Sequence, residues 1–93
     1  MLGQKLKTLR EAKGLLQRQV AAALEVDTAY ISKMESSDKP VSKSYLPKLS
    51  TLYGVSESEL QTLWLANKVY EILKDDDLAL KAVEIVQESL KRK

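Results

Sequence analysis

The stretch Asp27 to Met34, DTAYISKM, places hydrogen-bonding side chains on one side of a possible helix and apolar ones on the other. Ile31 and Met34, three residues apart, form the inward pair of a helical turn, which leaves Thr28, Ala29, Ser32 and Lys33 off the buried face. Their chemistry is that of base-edge recognition. A lysine can donate to guanine O6 and N7, hydroxyls of Ser and Thr can pair with several base edges, and Ala29 or the Thr28 methyl can meet a thymine methyl. Bond-making chemistry is poorly provided for. With no Cys and no His, the chain lacks disulfides, thiolate or imidazole metal ligands, Cys nucleophiles and every Ser-His triad. Asp75, Asp76 and Asp77 are the one carboxylate run, and a helix start explains them better than a metal cluster. No enzyme activity, metal or cofactor is expected.

The spacing of apolar residues predicts helices that would carry this surface. Leu2, Leu6, Leu9 and Ala12 recur at helical intervals, with Gly14 after Lys13 as the stop. Gln17 opens a second short helix through Val20, Ala21 and Leu24, and Asp27 is a good N-cap for the third. Only Glu25 and Val26 lie between helix two and that cap. Two short helices joined so tightly must cross steeply, as in a helix-turn-helix. Ser36 to Val41 reads as a polar loop. Ser44 is positioned to cap a fourth helix holding Leu46, Leu49, Leu52 and Tyr53, with Pro47 in its first turn and Gly54 at its end. Ser56 and Glu59 make an S-x-x-E capping box for a fifth helix, Val55 and Leu60 being its staple pair. That helix has no stop before Lys74. It carries two apolar stripes, Leu60, Leu63 and Trp64, then Leu65, Val69, Ile72 and Leu73, so its halves should bury different faces. Asp75 to Asp77 begin a last helix with Leu78, Ala82, Val83, Val86 and Leu90.

Ninety-three residues make one domain with little core to spare, and 44% apolar with 30% charged residues is a composition that folds. Residues 1 to 55 hold nine Lys/Arg against five Asp/Glu, and residues 56 to 93 six against eight. A basic front and an acidic rear suit a protein that sets one end on a polyanion. No run reaches the roughly 20 apolar residues of a membrane span and the amino terminus lacks a signal-peptide core, so the expected location is cytoplasmic, with no membrane partner.

The segment QRQVAAALEVDTAYISKMES, Gln17 to Ser36, resembles the helix-turn-helix of the Cro/cI-like, or XRE, family of phage and bacterial repressors. The likeness extends from about Leu2 to Leu63. It implies an all-α, five-helix lambda-repressor-like DNA-binding domain over residues 1–63, with residues 64–93 as a helical extension. It further implies that Arg10 and Glu35 form an internal salt bridge, that Ala21 lies where helices two and three pack closely, and that Tyr30 sits near phosphate or against helix two. The pattern departs in three places: Leu16 stands at a cap usually Ser, Thr or Asn, Glu25 at a turn position often Gly, and Ser36-Ser37 where an Arg-Gly or Asn-Gly pair is common. Gln17 and Arg18 begin helix two, where a polar side chain and free amides can meet a phosphate. Lys39 and Lys43 flank the loop after helix three and are either phosphate contacts or solvated surface.

The expected function is sequence-specific transcription regulation, as a repressor, by a homodimer on a palindromic double-stranded operator. An antitoxin or a restriction-modification controller regulating its own operon, and a protein-interaction module of the same fold, are the alternatives; no small-molecule ligand is implied. Leu65, Val69, Ile72, Leu73, Val83, Val86 and Leu90 exceed what two terminal helices bury against one small domain, which marks either a dimer interface or a fold-back over the core. Trp64 and Tyr70 either fill the core or anchor a subunit contact.

Overall fold

A computed structural model describes residues 1–93 as six α-helices and no strand. In α1 (Leu2–Ala12), Leu2, Leu6 and Arg10 stand about a turn apart and are buried together with Gly3. Gly3 has no room for a side chain, since an added Cβ would collide with the Met34 carbonyl oxygen and lie 2.9 Å from that of Glu35. That close approach seats α1 on the end of α3 (Thr28–Glu35). Lys13 and then Gly14, at φ +68°, turn the chain out of α1.

α2 (Gln17–Leu24) begins without a capping hydroxyl, and Gln19 substitutes for one. Its side-chain Oε1 accepts the Leu16 N–H at 2.8 Å, while the Gln19 N–H returns to the Leu16 carbonyl at 3.0 Å. The turn to α3 rests on Glu25 in the left-handed region, φ 58° and ψ 45°, and on Val26 N–H reaching the Ala21 carbonyl at 3.0 Å. A non-glycine residue there costs on the order of 1–2 kcal/mol of backbone strain. Asp27 occupies the cap position of α3 with extended backbone, but its side chain makes no capping hydrogen bond. After α3, Ser37 also takes positive φ, 66°, so Asp38 and Lys39 donate back to the Lys33 carbonyl at 2.9 and 3.2 Å.

Ser44 does not cap the fourth helix. Lys43–Tyr45 wind into a 3-10 turn that leads directly into α4 (Leu46–Tyr53), and the Ser44 hydroxyl pairs with that of Ser42 at 2.9 Å. Pro47 lies in the first turn of α4 and Gly54, at φ +67°, ends it. Ser56 caps α5 (Glu57–Leu73) by accepting the Glu59 N–H at 3.1 Å. The box is half-made, because the Glu59 carboxylate turns to Lys5 at 3.5 Å. The last helix also starts later than its aspartates suggest: Leu78 is the cap residue of α6 (Ala79–Lys91), and Asp76 acts one turn earlier, its Oδ1 accepting the Leu78 N–H at 2.8 Å.

Leu6, Val20, Ile31, Met34, Leu46, Leu49 and Leu60 are fully buried, one or two from each of α1 to α5. Burying each such aliphatic side chain is worth about 1.5–3 kcal/mol, and this shared core fixes how α3 sits on α2. α6 buries no residue. It extends the molecule to 42 × 26 × 21 Å with a radius of gyration of 15.1 Å, against about 12 Å for a compact chain of this length. The fold-back reading of the last helix therefore fails in this structure: none of its apolar residues is buried or packs on the core. No helix is long and apolar enough to cross a membrane.

Candidate nucleic-acid interface

The buried pair Ile31 and Met34 orients α3, and the residues between them face outward. Thr28, Ala29, Ser32 and Lys33 are all exposed and project from the first two turns of α3. Their side chains are free of intramolecular hydrogen bonds, so their donors and acceptors are available to an incoming base edge.

Behind this surface stands one charged pair. Arg10 on α1 and Glu35 at the end of α3 are buried and joined by two hydrogen bonds, Nε to Oε2 at 2.7 Å and Nη2 to Oε1 at 3.0 Å. The third guanidinium edge donates to the Leu15 carbonyl at 2.8 Å, so Arg10 also ties down the chain entering α2. The hydrogen bond to Glu35 raises the guanidinium pKa against the opposing effect of burial. A buried pair with its remaining donors satisfied is costly to break. Next to it, burial pushes the Tyr53 phenol up to about 12, with the Glu35 charge adding to the shift.

Gln17 belongs to this assembly as much as to the surface. Its amide Nε2 donates to Glu35 Oε1 at 3.0 Å, which holds the first residue of α2 against the end of α3. Its side chain is half-buried, whereas Arg18 beside it is exposed. Tyr30 is half-buried against the core and also reaches the loop after α3: its hydroxyl donates to the Pro40 carbonyl at 3.4 Å and its ring meets that of Tyr45 edge-on, centroids 5.9 Å apart. Lys39 is exposed within that loop and Lys43 is exposed just after it.

Trp64 binds within its own chain. The indole N–H donates to the Val41 carbonyl at 2.8 Å and the ring packs on the core, which fastens the loop after α3 to α5. Tyr70 is exposed. Asn67 is a further link that residue spacing did not reveal, its Oδ1 accepting the Leu2 N–H at 3.1 Å and closing the open start of α1. Its partner is 65 positions away, so no local pattern could have marked it. Leu65, Val69 and Ile72 are exposed along α5, Val83, Val86 and Leu90 along α6, and Leu73 is half-buried. No group of three or more acidic residues converges as a metal site.

Residues 1–63 match the family model described as a helix-turn-helix domain. Over 59 residues, covering 62% of this chain and 80% of the relative, the sequence is 41% identical to control protein C.MunI from Mycoplasma sp.. No solved structure matches. With α2 and α3 packed together across the left-handed turn at Glu25, the Arg10–Glu35 brace and a match over residues 1–63, the chain belongs to the XRE-like helix-turn-helix family of DNA-binding transcription regulators.

Proposed function

We propose that the protein is a repressor that reads a palindromic operator as a homodimer, α3 in the major groove of each half-site. The observation that carries this reading is the polar, unpaired outer face of α3 held rigidly by a buried inner face. Thr28, Ala29, Ser32 and Lys33 read bases, and Gln17, Arg18, Tyr30, Lys39 and Lys43 lie along the phosphates. A single α3 makes few base contacts. Two copies related by a two-fold axis double them over half-sites about one DNA turn apart. The unburied stripes of α5 and α6 supply the pairing surface, since an apolar face of this length is a liability in a monomer.

Among regulators of this kind, the likeness to a protein named a control protein favours a restriction-modification controller acting on its own operon over an antitoxin. Selection of bound duplexes from a random pool tests the proposal: it should return a palindromic consensus. With Lys33→Ala the preference at one base pair per half-site should relax, at a cost of about 1–3 kcal/mol there. Recovery of no consensus, or of a single unrepeated half-site, would defeat the dimeric operator reading.

A further inference from the structure

Three lysines from three places in the sequence meet beside the loop that follows α3. Lys39 lies in the loop, Lys43 opens the 3-10 turn and Lys68 is on α5. Lys43 Nζ stands 5.4 Å and Lys68 Nζ 4.5 Å from the centroid of the Trp64 ring. Lys39 and Lys68 line one open cleft of about 610 Å³ with Trp64 and Val41. The Trp64 N–H bond to Val41 holds the two walls of this cleft together.

None of the three lysines has a carboxylate partner within the chain. The chain's ion pairs are Lys5–Glu59, Arg10–Glu35, Lys74–Glu71 and Lys91–Glu88, and none includes Lys39, Lys43 or Lys68. Two carboxylates also line the cleft: Asp38 accepts from the Ser36 hydroxyl at 2.9 Å, and Glu71 pairs at 2.9 Å with Lys74, which is itself on the cleft wall. The aromatic face makes the gathering of like charges tolerable. An oxyanion would complete it.

We infer that Lys39, Lys43 and Lys68 form one clamp on the phosphate backbone of duplex DNA, and that Lys68 is a DNA-contacting residue outside the matched region 1–63. The assignment rests on the DNA-binding reading above. It extends the interface from the helix-turn-helix onto α5, with Trp64 as the positioning residue that keeps the lysines in register. A flexible lysine at this site needs only to approach a phosphate, so its contribution is independent of base sequence.

The test is the salt dependence of full-length protein binding to a random-sequence duplex, read by anisotropy of a labelled DNA. Removing one lysine–phosphate interaction should make the slope of log affinity against log salt less steep by about 0.9 per protomer. Lys68→Gln should produce that change and weaken binding several-fold on random and selected duplexes alike, Lys68→Arg should retain the wild-type slope, and Lys81→Gln on α6 should change nothing. A wild-type slope for Lys68→Gln would overturn the assignment while leaving the DNA reading intact. Wild-type protein that binds no duplex would overturn both. Trp64, the only tryptophan, reports on a free-anion alternative: if inorganic phosphate at matched ionic strength shifts its emission as duplex does, and Lys68→Gln keeps its slope, the cluster is a small-anion site and the clamp is refuted.

Discussion

Leu60 and Leu65 lie five residues apart on α5, yet Leu60 is fully buried and Leu65 is 59% exposed. The same helix closes the core of the front of the molecule with one stripe and leaves the other bare, continuing into α6, which buries nothing. The front therefore has its stability built in, through α1 to α5 packed about Ile31, Leu49 and Leu60 with the Arg10–Glu35 brace at one side. The rear has apolar surface without a covering. Large aliphatic residues on a face that the fold leaves bare are the kind of surface on which the proposed subunit pairing would rest.

Substitutions should separate these two regions sharply, and the largest effect belongs to the front. Arg10→Ala leaves Glu35 buried and unpaired, so urea unfolding should reveal a loss of about 3–5 kcal/mol. A loss under about 1 kcal/mol, the range of an exposed pair, would mean that the brace is not part of what holds α3 in place. The converse applies to the rear. On the proposed dimer, Val86→Glu should leave the unfolding free energy of the dissociated subunit, measured at a dilution where pairing is lost, within about 0.5 kcal/mol, as expected of an exposed site. It should nevertheless raise the dimer dissociation constant by roughly thirty-fold or more, the equivalent of an interface residue worth about 2 kcal/mol, measured by sedimentation equilibrium. Equal dissociation constants for wild type and variant would remove the α6 stripe from the interface.

How much of this contrast could be read from residues alone differs between the two kinds of contact involved. The helix order, the Ile31/Met34 inner face and the end of α4 at Gly54 follow from local periodicity and stop signals, and the structure has each of them. Local signals failed where two local solutions compete. Ser44 has the chemistry of a cap, but Lys43–Tyr45 wind into a 3-10 turn that carries the chain straight into α4, so no cap is needed at Ser44. Asp27 has the backbone of a cap without its hydrogen bond. Contacts between distant segments were beyond spacing altogether: Trp64 to Val41 and Asn67 to Leu2 cross from α5 into the front. Both lie past Leu63, so the front does not end cleanly at residue 63, and a cut there removes two of its fastenings.

A pH titration sharpens the front half of the comparison further. Because Tyr53 titrates at about 12 in the fold and near 10 when unfolded, the native state retains a proton that the unfolded chain has released between those values. Its stabilising contribution is complete below about pH 10 and is lost as pH rises towards 12. Tyr53→Phe should lessen the alkaline loss of stability in that window, as followed by urea midpoints; an unchanged pH profile would place the phenol in solvent. The smallest expected effect is at the helix-turn-helix itself. Glu25→Gly relieves the left-handed backbone and, after the entropy glycine adds to the unfolded chain, should raise stability by about 0.5–1 kcal/mol.

The claim that the front reads DNA while the rear pairs the subunits is tested most directly by sedimentation of the full chain and of a chain ending at Lys74, each alone and with the selected operator duplex. The shorter chain keeps Trp64 and Asn67, and so keeps the front's fastenings, but lacks α6. The full chain should sediment as a dimer that binds one operator as a two-to-one complex. The shortened chain should be a folded monomer by circular dichroism and sedimentation, with operator affinity weaker by about tenfold or more, because each half-site is then bound without its tethered twin. A full chain that remains monomeric at micromolar concentration, or a shortened chain that dimerises and binds as tightly as the full one, would contradict this division.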